Sequence, residues 1–350
     1  MRTLVISDLH LGSALGRDVL RRPAALDALV AASAGADRLV LLGDTLELLE
    51  GRSDRAAAAG EPVLRRLGAA LGPQGEVVIV PGNHDHELVR SWLRDRLGAG
   101  RPLRPATRVP RSASALLTAM AGWLGPARVE VRYPGVWVGD RVWATHGHHL
   151  DRLLPAALRG RLRAAAGAPR AHVADFETAP GADAGSLTDA IAGVLPGGAG
   201  SVLEGAVGGA RRALLAGLPA IAAVPGMREA ASLGALVLEQ GIHRRAAIPA
   251  MAEVARRLRI PADVVIFGHI HRRGPLPGDP DELWRPLGAD GPRVVNSGSW
   301  VFDSALVGPP REGRPRPYRP GGAVLLQPGS PPRALDLLAD VPDRVLRGRL

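Results

Sequence analysis

The chain has 350 residues, and 46% of them are hydrophobic, which is typical of a folded globular protein and excludes a disordered one. It contains no cysteine, so disulfides, thiolate zinc sites and cysteine nucleophiles are excluded, and any metal must be bound through nitrogen and oxygen atoms. The formal net charge is +10, which would attract nucleic acid, anionic lipid or phosphorylated small molecules without selecting among them.

The N-terminal sequence does not predict a secretion signal, because Asp8 and His10 interrupt the apolar segment that begins it. No stretch of the length needed to span a bilayer is free of both charge and proline. We therefore expect a cytoplasmic protein, with peripheral contact to a membrane as an alternative.

Apolar, β-branched segments alternate with helical patterns over the first part of the chain. The pattern predicts strands at 2–7, 38–42, 76–80, 129–133, 135–139 and 141–145, and helices at 18–34 and 55–71. Such alternation is typical of a layered α/β protein.

A region rich in Ala, Leu, Gly and Arg, at about 150–258, then interrupts this order. It predicts helices at 153–166, 201–216, 228–240 and 246–258, and strands follow at 263–267, 293–296 and 322–327. The Pro/Arg-rich segment 308–320 predicts an irregular loop. We expect a single domain over residues 1–340 that includes the helical region as a cap or insert.

Five short polar clusters each follow a predicted strand, where ligands gather in α/β sheets. They are Asp8-Leu9-His10, Gly43-Asp44, Gly82-Asn83-His84-Asp85, His146-Gly147-His148 and Gly268-His269-Ile270-His271. Each cluster alone is compatible with a solvated loop or a turn. Together they offer carboxylate, amide oxygen and imidazole, the ligands of Mn, Fe or Zn rather than of Ca.

Alternation along an extended segment would place Asp8 and His10 on one face, and likewise His269 and His271. Seven such groups at one sheet edge are enough for two ions that share a carboxylate. Paired ions of this kind lie roughly 3.5–4 Å apart and hold an in-line displacement at phosphorus.

In this order, the five clusters resemble those of the calcineurin-like metallophosphoesterase superfamily. The similarity runs from residue 3 to about residue 300 and includes the segment Asn296-Ser297-Gly298-Ser299-Trp300. It implies a layered αββα metallophosphoesterase fold, with two packed mixed β-sheets flanked by helices, and here with a helical insert. It also implies a hydrolase that acts on phosphoric ester or anhydride bonds.

The resemblance further implies two divalent metal ions and a hydroxide held between them as the nucleophile. One ion would be bound by Asp8, His10, Asp44 and His271, and the other by Asp44, Asn83, His146 and His269. Asp44 would then bridge the two ions. We expect Mn²⁺, with Fe and Zn as alternatives, because the ligand set accepts all three.

The same resemblance gives His84 the role of general acid, or of a donor to a phosphate oxygen of the substrate. Asp85 would orient His84 and favour its imidazolium form. His149 is a second candidate for contact with the substrate phosphate. Glu47 has two interpretations, as a partner of the metal ligands or as an acidic residue at a helix N-terminus.

The segment ATHGHHLDRLLP and the helical region after it resemble the UDP-2,3-diacylglucosamine pyrophosphatases, whose helices cap the site and receive acyl chains. Those enzymes have arginine where this chain has His84, so their substrate does not transfer directly. We expect a small phosphorylated substrate, such as a phosphodiester or a nucleotide- or lipid-linked phosphate. The insert would serve as a lid, as a membrane contact or only for packing.

Two other functions remain as alternatives. A metal-dependent nuclease acting on DNA or RNA would use the arginines of the Pro/Arg-rich loop, but the low aromatic content of 3% disfavours it. Those arginines are Arg311, Arg314, Arg316 and Arg319. A non-catalytic metal-binding scaffold is disfavoured because all seven ligands and His84 are present. The sequence does not predict an oligomeric state.

Overall fold

The elements of the fold can be followed through the residues that the computed structural model describes, which are 1–13, 16–154, 157, 172–177, 246–308, 310 and 315–348. The strands there are β1 (Thr3–Ile6), β2 (Arg38–Leu42), β3 (Glu76–Val80), β4 (Thr107–Arg108), β5 (Arg128–Tyr133), β6 (Gly135–Gly139), β7 (Val142–Thr145), β8 (Val264–Phe267), β9 (Arg293–Asn296), β10 (Gly322–Leu326) and β11 (Arg333–Asp336). The helices are α1 (Pro23–Ala34), α2 (Ser53–Leu71), α3 (Arg90–Gly98), α4 (Ala115–Trp123), α5 (Ile248–Arg257), α6 (Asp281–Trp284), α7 (Ser304–Val307) and α8 (Asp343–Arg347). Every strand predicted from the sequence overlaps one of these strands.

The strands form two mixed sheets. The larger sheet has seven strands in the order β11-β10-β1-β2-β3-β5-β4, and its central strands β1, β2, β3 and β5 are parallel. The smaller sheet has the order β6-β7-β8-β9, in which β7, β8 and β9 are parallel. The carboxyl ends of parallel neighbours share one edge, so each sheet presents one edge at which the loops after several strands meet.

Alternate residues of the central strands face different layers, because successive side chains of a strand point to opposite faces. Val5 and Val40 of the larger sheet belong to the same buried cluster as Val136 and Ile266 of the smaller sheet. The two sheets therefore pack face to face through one apolar layer.

Helices cover the outer face of each sheet. Leu4 and Leu39 of the larger sheet pack with Leu29 of α1, Leu64 of α2 and Leu117 of α4 in one buried cluster. A separate cluster joins Trp143, Val265 and Val294 of the smaller sheet to Ile248 and Met251 of α5. These layers make the αββα architecture that the sequence predicted.

Part of the predicted helical insert lies among the described residues. The helix predicted at 246–258 is confirmed as α5, whereas the helices predicted at 201–216 and 228–240, and most of the one at 153–166, lie outside the described residues. In segment 172–177, Val173 and Phe176 are buried, and Phe176 joins the cluster under α5. The described residues of 308–320 carry neither helix nor strand, as predicted.

None of the helices in the described part of the chain is both long and apolar enough to cross a bilayer.

Helix α2 passes so close to the end of α4 that one position accepts only glycine. A Cβ atom added at Gly68 would lie 2.1 Å from the carbonyl oxygen of Leu124. We expect Gly68→Ala to lower the free energy of unfolding by roughly 1–3 kcal/mol, the usual effect of overpacking. Gly122→Ala is the control, because its Cβ would meet nothing within 4 Å. That substitution should stabilise the helix by about 0.4–1 kcal/mol. Chemical denaturation measures both, and equal effects would contradict the close approach.

Candidate metal centre

The loops after five strands bring the polar clusters of the sequence to one place between the sheets. Asp8 Oδ1 lies 3.2 Å from His271 Nε2, and Asp44 Oδ2 lies 3.2 Å from His146 Nε2. Asn83 Oδ1 lies 3.1 Å from His146 Nε2. The larger sheet thus contributes the residues after β1, β2 and β3, and the smaller sheet those after β7 and β8.

Five of the site residues have a backbone in the left-handed region, which residues other than glycine rarely adopt. They are Asp8 (φ 55°), His10 (φ 45°), Asp44 (φ 51°), His269 (φ 68°) and His271 (φ 55°). The expectation that the D-x-H and H-x-H pairs lie on extended backbone is therefore corrected. Such conformations are costly, and they concentrate at functional sites where the surrounding structure enforces them.

Interleaved backbone hydrogen bonds enforce this conformation in the first two loops. The amide of Asp8 donates to the carbonyl of Gly43 at 3.1 Å, and the amide of His10 donates to the carbonyl of Asp44 at 2.8 Å. Glycines permit the close approach of the ligands, since a Cβ atom at Gly82 would lie 2.3 Å from Asp44 Oδ1.

Among the described residues, three overlapping groups could each hold a metal ion. They are Asp8, His10 and His271; His10, Asp44 and His84; and Asp44, His146 and His269. Within each group, the ligand atoms all lie within 4.8 Å of one another. Asp44 belongs to two groups, and His269 and His271 fall into different ones.

The donor set fits a divalent transition metal. Carboxylate, imidazole and amide oxygen suit Mn, Fe or Zn, and the site offers no sulfur. The Nε2 atom of His10 is buried, has no hydrogen-bond partner among the described residues and lies 3.7 Å from Asp44 Oδ2. An ion between these two atoms would satisfy both of them.

Opposite charges hold the buried carboxylates of the site in their ionised form. Burial raises the pKa of Asp44, but the charges of His146, His84 and His10 hold it well below its usual range. Burial lowers the pKa of His146, and the opposing charge of Asp44 raises it to about 10. Burial also raises the pKa of Asp8, but the charge and hydrogen bond of His271 lower it overall.

Glu47 contacts two histidines of the site at once. Its carboxylate lies 2.8 Å from Nδ1 of His10 and 2.8 Å from Nδ1 of His84, and the residue is only 2% exposed. Because Glu47 occupies Nδ1, the Nε2 atom of each ring is free to face the metal site. The alternative interpretation of Glu47 as an acid at a helix N-terminus is wrong, since the next helix, α2, begins at Ser53.

Asp85 has a different role from the predicted one. Its carboxylate accepts hydrogen bonds from the backbone amides of Gly82 at 2.6 Å and of Thr45 at 2.8 Å. Burial and the charge of Asp44 raise the pKa of Asp85 to about 6. Asp85 therefore joins the loops after β2 and β3, and the prediction that it orients His84 is corrected, because the side chain bonded to that imidazole is Glu47.

His149 belongs to none of the three groups of potential metal ligands among the described residues. It is 1% exposed, and its Nε2 lies 3.2 Å from the carboxylate of Glu177. The same carboxylate accepts a hydrogen bond from the hydroxyl of Tyr133 at 2.9 Å and lies 3.2 Å from His86 Nε2. The structure thus gives the predicted substrate contact of His149 no support, because the imidazole instead helps to hold segment 172–177.

Sequence analysis did not find two acidic residues beside the site, Asp151 and Glu177. Asp151 lies 3.0 Å from Nε2 of His269. The only signal was its position five residues after His146, in the segment HGHHLD. Glu177 lies within the predicted insert, and no motif marks it.

The family model for the calcineurin-like phosphoesterase matches residues 1–164. The matched region includes Asp8, His10, Asp44, Asn83, His84 and His146. It ends before His269 and His271, which the fold nevertheless brings to the same cluster. A search of curated proteins finds no match to the chain.

Proposed function

We propose that the protein is a metal-dependent phosphoesterase that works with two divalent cations sharing Asp44. The match of residues 1–164 to the calcineurin-like phosphoesterase model and the groups of potential metal ligands support this proposal. One cation is assigned to Asp8, His10, Asp44 and His271, and the other to Asp44, Asn83, His146 and His269. The membership of Asp44 in two groups of ligands is the observation that carries this proposal. When bound, two such cations act as Lewis acids and make a hydroxide nucleophile available near neutral pH.

His84 is proposed as the general acid for the leaving oxygen, or as a donor to a phosphate oxygen. Its backbone amide donates to Asp44 Oδ1 at 2.9 Å, and its ring lies 4.6 Å from the ring of His10. Burial lowers the pKa of His84, but the charge of Asp44 and the hydrogen bond to Glu47 raise it to about 9. The raised pKa favours the protonated imidazole, which is the form that a general acid needs.

We propose a small phosphorylated substrate, such as a phosphodiester or a nucleotide- or lipid-linked phosphate, and Mn²⁺ as the native metal, with Fe and Zn as alternatives. Two arginines that the nuclease hypothesis would need are already paired. Arg316 donates to Asp343 at 3.0 Å, and Arg319 donates to the same carboxylate at 3.3 Å. Cations held in this way offer less to a nucleic-acid backbone.

A panel of substrates tests the proposal. The protein would be stripped of metal, reloaded with Mn²⁺, Fe²⁺ or Zn²⁺, and assayed on a chromogenic monoester and diester, a nucleotide sugar, a cyclic nucleotide and single-stranded DNA. We expect hydrolysis of a small ester or pyrophosphate that chelation abolishes and metal restores. Inactivity on every substrate, with two ions bound per chain, would favour the scaffold hypothesis. Cleavage of DNA alone would favour the nuclease.

A further inference from the structure

Asp151 faces the imidazole of His269 from a neighbouring loop. Both oxygens of its carboxylate lie 3.0 Å from Nε2 of His269. Asp151 belongs to the short 3-10 helix His148–Leu153, which follows His146 and Gly147 directly. The contact therefore joins the loop after β7 to the loop after β8, the two loops that the smaller sheet contributes to the metal site.

The 3-10 helix that carries Asp151 is fixed in position. Leu150 and Leu153 are buried in the apolar cluster beneath α5, at 1% and 6% exposure. Two buried anchors on a short helix leave little freedom to the carboxylate between them in the sequence. The buried leucines thus hold the Asp151 carboxylate in place beside His269.

His269 is held from two sides as a result. Its backbone amide donates to the carboxylate of Asp8 at 3.0 Å, and its Nε2 is occupied by Asp151. The remaining ring nitrogen, Nδ1, is the atom that is left to bind a metal. A carboxylate on the second nitrogen of a metal-binding histidine fixes the tautomer and the orientation of the ring and raises its basicity.

Two simpler explanations fit the geometry less well. Asp151 belongs to none of the three groups of potential ligands found among the described residues, so it is not placed as a ligand itself. The contact between Asp151 and His269 is also not a fully exposed ion pair, which would contribute little to stability. Their side chains are only 27% and 16% exposed, respectively.

We propose that Asp151 is a positioning residue for the metal centre, which acts by fixing the imidazole of His269. The inference rests on the proposed function, since it requires His269 to be a metal ligand.

A double-substitution experiment tests this inference by metal affinity rather than by activity. The dissociation constants of Mn²⁺ and Zn²⁺ would be measured by titration calorimetry for Asp151→Asn, Asp151→Ala, His269→Gln and the two double variants. Loss of such an outer partner typically weakens metal binding by about 10–100-fold. We expect a loss of this size at one of the two sites for Asp151→Ala, and a smaller loss for Asp151→Asn, which keeps one acceptor oxygen.

The double variants should bind metal no more weakly than His269→Gln alone, because Asp151 acts only through that ring. The visible spectrum of the Co²⁺-loaded protein should also change in Asp151→Asn, which reports the geometry around the ion. Asp263→Asn is the matched control, because this aspartate pairs with Arg141 at the surface and its side chain is 64% exposed. The control should leave both measurements unchanged.

The possible results distinguish a wrong assignment of His269 as a ligand from a wrong role for Asp151. If His269→Gln leaves metal binding unchanged, the ligand assignment of the proposed function is wrong. If His269→Gln weakens binding but neither Asp151 variant does, the inference about Asp151 is wrong while the proposed function stands. Additive losses in the double variants would overturn it as well, since they would show that Asp151 acts independently of His269.

Discussion

Asp44→Ala is expected to remove both cations and to abolish hydrolysis. Among the described residues, Asp44 is the one carboxylate that belongs to two groups of potential ligands, so its loss affects both at once. Bound cations contribute several kcal/mol of transition-state stabilisation. Because each ~1.4 kcal/mol is a tenfold change in rate, kcat/KM should fall by roughly 10³-fold or more.

The measurement is metal content per chain by elemental analysis, together with kcat/KM on the best substrate of the panel. Asp44→Asn is the second variant, because it keeps an acceptor for the amide of His84, which donates to Asp44 Oδ1. Asp54→Ala is the control, since that aspartate pairs with Arg52 at the surface and its side chain is 66% exposed. Retention of two ions in Asp44→Ala would show that Asp44 is not shared.

The removal of Asp44 also changes the protonation of its neighbours in a defined direction. The charge of Asp44 raises the pKa of His146 and of His84. Without that charge, both imidazoles should lose their protons at lower pH than in the native protein. If Asp44→Asn lowers activity at unchanged metal content, the cause is therefore the altered protonation of His84. If metal is lost together with activity, the cause is the loss of the ligand that the two cations share.

The central strands of this fold are predictable from the sequence because a continuous apolar run is a strong local signal. In β2, for example, Leu39 and Leu41 pack under the helices while Val40 and Leu42 pack against the other sheet. A strand buried on both faces must be apolar throughout, and the polar residue that ends it marks the edge of the sheet. This is why the clusters at Asp44 and at His269 could be located before the fold was known.

Helices α3 and α4 were not predicted, for two opposite reasons. In α3, only Leu93 is buried, so the segment lacks an apolar stripe. In α4, nearly every position is apolar or small, so no periodicity separates a buried face from an exposed one. Residues 115–123 form a helix because the fold offers a surface for them, and their pattern alone does not reveal it.

The partners of the polar residues were the least predictable part of the site. Asp85 follows His84 in the chain, yet neighbouring residues of a loop need not share a direction, and Asp85 faces the backbone of Gly82 and Thr45. Glu47 and Asp151 act on histidines 37 and 118 residues away. Such contacts depend on which strands are neighbours within each sheet, and no local pattern carries that information.

Both sheets contribute ligands to the site. Asp8, His10, Asp44 and Asn83 come from the larger sheet, and His146, His269 and His271 from the smaller one. Of the three histidine ligands from the smaller sheet, the match to the family model includes only His146. The apolar layer between the sheets, which includes Val5 and Ile266, therefore fixes the distances on which metal binding depends.

His84→Gln is expected to lower kcat by about 10²–10⁴-fold, the usual contribution of a general acid, while two cations stay bound. Glutamine keeps a polar side chain of similar length, but its amide is not acidic enough to transfer a proton to the leaving oxygen. The measurement compares kcat and metal content with those of His172→Gln, a control at an exposed histidine on segment 172–177. The His84→Gln effect should shrink on a substrate whose leaving group, such as a nitrophenolate, needs no proton.

The experiment also decides between two roles that the geometry of His84 permits. His84 forms one of the potential metal-binding groups with His10 and Asp44. If metal content falls together with activity, His84 is a ligand, and the assignment of a general acid is wrong. If metal stays and the loss depends on the leaving group, His84 is the acid.

Glu47→Gln then adds an independent test of the same assignment. The hydrogen bond and charge of Glu47 are among the causes that raise the pKa of His84, after burial, which lowers it, and the charge of Asp44. A raised pKa keeps the imidazole protonated to higher pH, and an acid-dependent rate is lost as the pH rises through that pKa. Removing the charge of Glu47 should therefore move the alkaline limb of the pH–rate profile to lower pH. An unshifted limb in Glu47→Gln, with metal still bound, would mean that another group supplies the proton.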